Sequence, residues 1–364
     1  MRRLYRQVFP HRLPDYATLW TTACHKWVVG MVQLDKGQLH VTGWAITPLE
    51  LRPHVDFRIN DQPVDQVVYP VLRPDVAAHL RFVPEAHDSG FDITTRLPDG
   101  QTELGDLTIS CVDKRTGEPL GWDYQPYHVP STTRFGPMPA PNQIARVIGA
   151  PSDFYFRIGG WTVFQTLCDV VQETTGQAIT AFPRVLDWGC GCARVSRYFL
   201  PLPGVHVTGA DVDPDNIGWC QANLPTGTWD VLPLRPPSQL KAESFDLVFG
   251  ISVFTHLKEA EQFAWLEELQ RVIRPGGLAL MTFHGDASIL WSGLSAERYT
   301  ELKRRGICDQ ANPLYDADLG EDDYYRDVFH TTEYVRREWG KYFELVTIKP
   351  CSIAHQDLVV LRRK

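Results

Sequence analysis

The sequence predicts an α/β protein: an open, mainly parallel sheet with helices on both faces, preceded by a small all-β sandwich. Three observations predict it. The run Val185-Leu186-Asp187-Trp188-Gly189-Cys190-Gly191-Cys192-Ala193-Arg194-Val195 reads as a buried strand breaking into a glycine turn that opens a helix. Downstream of it, apolar strand-like runs alternate with helical stretches, the pattern of a parallel sheet. Upstream, over 21–129, short clusters of β-formers lie between turn signals, the pattern of a sandwich. A chain of 364 residues exceeds the usual size of one domain, and 43% hydrophobic residues is enough for two cores.

Residues 1–20 form an N-terminal extension. In the accessory domain over 21–129, Gln38–Ile46, His54–Asn60, Ser89–Thr95 and Leu107–Asp113 alternate or cluster β-formers. Turns at Asn60-Asp61, Pro98-Asp99-Gly100 and Thr116-Gly117 separate them. The aromatic residues Trp27, Trp44, Phe57, Phe91 and Trp122 either fill the core of such a sandwich or present a surface for stacking sugars, and the core is the commoner fate. The stretch 130–141 carries Pro130, Pro137, Pro139 and Pro141 and reads as a stiff linker.

The second domain, 142–364, opens with two helices, Asn142 to Gly149 and Trp161 to Thr174, the second placing Val163, Phe164, Leu167, Val170 and Val171 on one face. After the glycine turn, Val205–Asp211 is a second strand ending in a carboxylate able to accept hydrogen bonds from both hydroxyls of a ribose. Phe245–Gly250 is a further apolar strand, followed by Ile251-Ser252-Val253-Phe254-Thr255-His256-Leu257. Glu268–Gly277 is a helix end stopped by Pro275, Gly276 and Gly277, feeding the strand Leu278–Phe283. The last two strands, about Phe343 to Pro350 and Asp357 to Arg362, are close enough for a hairpin.

The segments DWGCGCARV, GADVDP, FDLV, SVFTHL and LQRVIRPGGLAL stand here in an order and spacing that resemble the class I S-adenosylmethionine-dependent methyltransferases, and the GCGCxRV and SVFTHL variants resemble a bacterial branch of them. Ala193 departs from the third glycine of many members. The resemblance implies a Rossmann-like class I methyltransferase sheet with a reversed edge strand, and S-adenosyl-L-methionine as cofactor. It implies that Asp187, Gly189, Cys190 and Gly191 line the methionine end, Asp211 holds the ribose, Val212 packs on the adenine, and Asp230 is the candidate for the adenine edge. Ile251 and Ser252 are placed beside the methyl donor. Tyr155, Arg157 and Gly159 are candidates for a segment closing over the cofactor. More loosely, GWA, RPDVAAHL and GF over 43–91 resemble a β-rich module appended to enzymes of bacterial surface-polysaccharide pathways.

Methyl transfer to a hydroxyl needs alignment and a proton acceptor, and histidine suits the latter near neutral pH. His284, at the end of a strand, and His256, in SVFTHL, are the catalytic candidates, with His330 and His355 behind them. The insertion from Asp286 to Trp339, with Tyr315, Tyr324 and Tyr325, is where the resemblance implies an acceptor pocket is shaped; its acidic cluster Asp316, Asp318, Glu321, Asp322 and Asp323 lacks the spacing of a calcium loop and reads as a solvated lid, with metal or cationic-substrate binding the lesser alternative.

A net charge of −8 excludes a general nucleic-acid binder. Met1-Arg2-Arg3 is not followed by the apolar stretch of a signal peptide, and no long uncharged apolar run occurs, so no membrane insertion is expected and the cytoplasm is the expected compartment. Eight scattered cysteines do not read as a disulfide framework, and Cys190 with Cys192 are too few for a zinc site, so no metal is expected. The favoured function is O-methylation of a sugar, a glycan or another small-molecule hydroxyl. N- or carboxyl-methylation of a peptide or secondary metabolite, a nicotinamide-dependent oxidoreductase, and a non-catalytic scaffold whose β-module contacts a carbohydrate or protein stay open at this level.

Overall fold

The computed structural model describes residues 27–47, 52–80, 83–97, 106–120, 126–131, 134–292, 294–312, 321 and 324–364. The extension 1–20, the turn at Pro98-Asp99-Gly100, Trp122, and Tyr315, Asp316, Asp318, Asp322 and Asp323 lie outside them. The chain divides into two compact units, one of Met1–Phe135 with Asp153–Thr162, the other of Gly136–Ser152 with Val163–Lys364.

The first unit holds strands β1 (Trp27–Asp35), β2 (Gln38–Ala45), β3 (Val55–Ile59), β4 (Gln62–Pro63) and β5 (Gln66–Val71), helix α1 (Pro74–His79), and strands β6 (Gly90–Arg96), β7 (Leu107–Asp113) and β8 (Tyr127–Val129). They form two four-stranded antiparallel sheets, β1-β2-β6-β5 and β4-β3-β7-β8. Alternate residues such as Val29, Val41, Phe57, Ile93, Ile109 and Cys111 point into one shared core, the period-two pattern of facing sheets. Trp27, Phe57 and Phe91 are buried there, with the Phe57 and Phe91 rings 4.8 Å apart, so these three fill the core and form no sugar platform. Trp44 is half-buried. Gly43 is required where β1, β2 and β6 meet, because a Cβ would sit 2.2 Å from the Val28 carbonyl oxygen. Arg157, buried, donates to the Pro130 carbonyl at 2.7 Å within this unit.

The second unit begins with α2 (Pro141–Ile148) and the continuation of α3 (Asp153–Thr175). Its sheet is made of β9 (Arg184–Trp188), β10 (His206–Asp211), β11 (Thr228–Val231), β12 (Phe245–Gly250), β13 (Ile273–Phe283) and, after an excursion, β16 (Glu344–Ile353) and β17 (Gln356–Arg362). Helices α4 (Pro214–Asn223) and α5 (Glu259–Val272) connect strands. The order is β11-β10-β9-β12-β13-β17-β16, parallel except that β17 runs against both of its neighbours. The chain leaves β9 toward β10 on one side and returns to β12 on the other, which opens a crevice at the carboxyl ends of those strands. β12 is buried along its whole length, as expected of a central parallel strand covered on both faces.

Two local expectations are corrected. The turn after β9 does not open an α-helix. It passes through Gly189, Gly191 and Ala193, all at positive φ, into a short 3₁₀ turn at Ser196–Tyr198. Pro201 and Pro203, which lack the N–H a continuing helix would need, follow at once. Arg274-Pro275-Gly276-Gly277 is no pause between helix and strand, because β13 begins at Ile273. The Gly276 N–H donates to the Arg363 carbonyl and the Arg363 N–H to the Gly277 carbonyl, both at 2.9 Å. The described residues of the excursion 286–339 are folded against the sheet, while most of the acidic cluster read as a solvated lid lies outside them. The excursion holds α6 (Asp286–Ser292), α7 (Ala296–Arg305), an antiparallel pair β14 (Ile307–Ala311) and β15 (Arg326–His330), and α8 (Thr332–Trp339). Val335 and Trp339 of α8 lie in the main core with no exposed surface.

Candidate active site

A cleft of about 230 Å³ lies at the carboxyl ends of β9, β10 and β12, bounded by residues of the second unit. Its floor is the glycine turn. Gly189 has φ +77° and a Cβ on it would lie 2.4 Å from Val253 Cγ2; Gly191 has φ +53° and its Cβ would lie 2.8 Å from Val147 Cγ2. Both positions therefore exclude a side chain, and the backbone itself faces the cleft. The N–H groups of Gly189 and Cys190 donate to the Ala210 carbonyl at 2.8 and 3.2 Å, tying the turn to β10. Burial raises the Cys190 thiol well above its ordinary pKa, so it is a space-filling side chain and not a nucleophile.

Two carboxyl groups stand on this floor. Asp187, at the end of β9 and 3% exposed, accepts a short hydrogen bond from Ser196 Oγ. Burial pushes its pKa up to about 7, opposed by the Ser196 hydroxyl and the Arg194 guanidinium and reinforced by Asp211. Asp211, at the end of β10, accepts from the Gly191 N–H at 2.7 Å and the Asp213 N–H at 2.9 Å. Burial raises its pKa to about 6 against those two donors. Asp213 caps α4 by accepting from the Asp215 and Asn216 N–H groups and pairs with Arg146 of α2. Asn216 lines the cleft too; its Nδ2 donates to Asp213 at 2.9 Å, and its buried Oδ1 has no hydrogen-bond partner. Val212, Leu232, Leu257 and Trp265 supply an apolar wall.

The other end of the cleft is built where β12 stops. Ile251 and Ser252 line it. Ser252 has φ +61°, a conformation costing a non-glycine residue about 1–3 kcal/mol, and its N–H is held by Thr282 Oγ1 at 2.7 Å. His256 follows, its Nδ1 donating to the Arg326 carbonyl at 2.8 Å and its ring stacked on Tyr325 at 4.2 Å. With the proton on Nδ1, Nε2 carries the lone pair, 3.5 Å from Ser252 Oγ. Burial lowers the His256 pKa, against the Arg326 carbonyl and the Asp327 carboxylate, so the ring is held neutral.

The remaining sequence candidates lie elsewhere. His284 is 8% exposed and outside the lining of the cleft; its Nδ1 donates to the Val328 carbonyl at 3.1 Å, and burial with three neighbouring histidines lowers its pKa to about 3. Asp230, half-buried on β11, is not a lining residue, while Leu232 just beyond it is. Tyr155, Arg157 and Gly159 do not line the cleft either. His330 is fully buried, bonded to Gln262 Oε1 at 3.0 Å.

Residues 185–277 match the family model described as a methyltransferase domain. Residues 185–277 of the second unit are thus similar to a methyltransferase domain. A sterol 24-C-methyltransferase of Gibberella zeae is 30% identical over 102 residues, and the chain spans about a quarter of that relative's length, 26%. Among solved structures, a SAM-dependent methyltransferase from Methanosarcina mazei is 18% identical with a TM-score of 0.38, covering 50% of this chain and 92% of its own. The PH0226 protein from Pyrococcus horikoshii is 20% identical with a TM-score of 0.39, covering 58% and 92%. Human N-acetylserotonin methyltransferase, solved with SAM, is 17% identical with a TM-score of 0.35, covering 60% and 62%.

The cleft has features that fit S-adenosylmethionine, the cofactor that the sequence resemblance implies. The side-chain-free cradle at Gly189 and Gly191 admits close approach of a ligand to the backbone, and an apolar wall stands beside the Asp211 carboxylate. Sequence reasoning missed Arg146 and Asn216 as residues of the cleft, while Tyr324 and Tyr325, in the segment expected to shape the acceptor pocket, do line it. Arg146 comes from a segment far from the glycine turn in sequence and carries no local motif. The spacing Asp213-Pro214-Asp215-Asn216 was a readable helix start that points to Asn216.

No helix among the described residues is long and apolar enough to cross a membrane.

Proposed function

We propose that this chain transfers a methyl group from S-adenosylmethionine to a hydroxyl of a small molecule, with His256 as the proton acceptor. The observation that carries the reading is the His256 ring: it lines the same cleft as the glycine cradle, and the Arg326 carbonyl fixes its proton on Nδ1. An unprotonated Nε2 is what a general base requires.

Asp187, Gly189, Cys190 and Gly191 hold the methionine end of the cofactor, Asp211 the ribose, Val212 with Leu232 the adenine, and Ile251 and Ser252 the methyl-donor end. The cofactor supplies an activated, electrophilic methyl group. The protein's work is alignment, exclusion of water by the apolar wall, and removal of the hydroxyl proton to Nε2, where the imidazolium is stabilised by the Arg326 carbonyl and the nearby Asp327 carboxylate, whose Oδ1 is 4.0 Å from Nδ1. His284 is left out of the chemistry because it lies outside the cleft. The resemblance of the β-sandwich to modules of polysaccharide enzymes makes sugars the first acceptors to try, and the cytoplasm is the compartment this reading assumes.

Calorimetric titration of S-adenosylhomocysteine into the protein and its Asp211→Ala variant tests the cofactor assignment. Micromolar binding lost in the variant supports it, and no binding to the folded wild type overturns it. Release of S-adenosylhomocysteine in the presence of sugars and other hydroxyl compounds then tests the acceptor class.

A further inference from the structure

Gln356 opens β17, 104 positions along the chain from Ser252, yet its Nε2 donates to Ser252 Oγ at 3.0 Å. The same nitrogen lies 3.4 Å from His284 Nε2, whose ring has its own proton directed at the Val328 carbonyl. Gln356 is 8% exposed, so it sits behind the wall of the cleft. Ser252 Oγ is therefore surrounded by two groups of fixed polarity and by the Thr255 hydroxyl, which can donate to it or accept from it. Gln356 Nε2 only donates, Thr255 Oγ1 stands at 3.0 Å, and His256 Nε2, deprotonated, only accepts, at 3.5 Å.

We infer that Gln356 is a positioning residue: by donating to Ser252 Oγ it turns the serine proton toward His256 Nε2, so that Ser252 and His256 act as one proton-accepting unit at the edge of the cleft. This rests on the methyltransferase reading above. The antiparallel setting of β17 beside β13 is what brings an amide to this point, and Ser252 meets it from a left-handed backbone. A hydroxyl that already accepts one hydrogen bond is a better donor in its next one. The pair then moves a proton in balance. The O–H bond of the bound acceptor breaks and its proton joins Ser252 Oγ, while the serine's own proton passes to His256 Nε2. The serine ends as it began, and the histidine carries the proton. His284 acquires a role as well, because its fixed tautomer presents an unprotonated Nε2 to the Gln356 amide and so sets which end of that amide faces Ser252.

The test is NMR of the His256 ring nitrogens in histidine-labelled full-length protein saturated with S-adenosylhomocysteine, for the wild type, Gln356→Leu, Ser252→Ala and the double variant. The expected result is a shift of the Nε2 resonance in each single variant, with Gln356→Leu producing no further shift once Ser252 is alanine. That non-additivity is the signature of action through the serine. An Nε2 resonance that does not move in Ser252→Ala, or a Gln356→Leu shift equally large in both backgrounds, overturns the proposal. Gln356→Met, closer in shape, replaces the leucine variant if that one does not fold, and the Ser252→Ala comparison stands without either. A His256 resonance indifferent to added S-adenosylhomocysteine in the wild type would instead count against the functional reading itself.

Discussion

The backbone N–H of Gly191 donates to the carboxylate of Asp211 at 2.7 Å, joining the turn after β9 to the end of β10. The two parts of the cleft floor thus share one hydrogen bond, and a change in either one disturbs both.

Asp211→Ala removes that bond along with the proposed ribose contact. A hydrogen bond to a charged group is worth about 1.5–3 kcal/mol, so S-adenosylhomocysteine affinity is expected to fall about tenfold to a hundredfold, read by calorimetry. Retained wild-type affinity would remove Asp211 from the ribose role.

Gly189→Ala places a Cβ against Val253 in a left-handed backbone. The conformation alone costs an alanine roughly 1–2 kcal/mol, and the contact adds to it. Thermal denaturation should show a lower melting temperature, and pairing it with Val253→Ala should recover the contact part but not the conformational part. Full recovery would mean that φ carries no cost at this position.

His256→Asn is expected to leave S-adenosylhomocysteine affinity within a few fold while slowing methyl transfer to a hydroxyl by about 10²–10⁴-fold, the usual contribution of general base catalysis. His284→Asn should cost stability more than it slows transfer. Initial rates of S-adenosylhomocysteine release, with the acceptor that the screen selects, separate the two. Equal rate losses in both variants would contradict the assignment of roles.

His284 and His330 are held neutral by burial, each with a pKa near 3 against an ordinary value of 6.5. Below pH 6.5 the unfolded chain takes up protons at these positions that the folded chain does not, so their contribution to stability, full above that pH, is lost as pH falls toward 3. Urea midpoints for wild type and His330→Asn should converge as the pH is lowered from 7.5 to 5. A constant gap between them would show that His330 does not titrate differently in the two states.

The parts of the site legible in the sequence are those whose function is written locally. Gly189 and Gly191 sit in a strand-turn pattern, and Asp211 ends a strand, so each could be found from its immediate neighbours. The parts that were not legible depend on distant segments. Gln356 reaches Ser252 only because β17 is antiparallel and adjacent to β13, and Tyr325 reaches His256 only after the chain has passed through α6, α7 and β14. The expected helix after Gly191 fails for a local reason: Ala193 takes a positive φ, which no sequence signal marks, and Pro201 with Pro203, which the sequence does show, follow. His284 attracted attention by its place at a strand end. That place decides where the backbone goes, but the side chain turned instead toward Val328 and Gln356.

The excursion between β13 and β16 leaves and rejoins the sheet at elements that pair with one another through β17. The entropy of closing such a chain grows only logarithmically with its length, about 0.6 kcal/mol for each doubling. Length changes confined to surface turns of 286–339 therefore cost little, whereas α8, which buries Val335 and Trp339 in the main core, belongs to the frame itself. Residues 286–339 also supply Tyr324, Tyr325 and the Arg326 carbonyl that orients His256. The molecule is in this sense modular at the level of chemistry: exchanging the part of this stretch before α8 should change which acceptor is admitted more than it changes affinity for the proposed methyl donor.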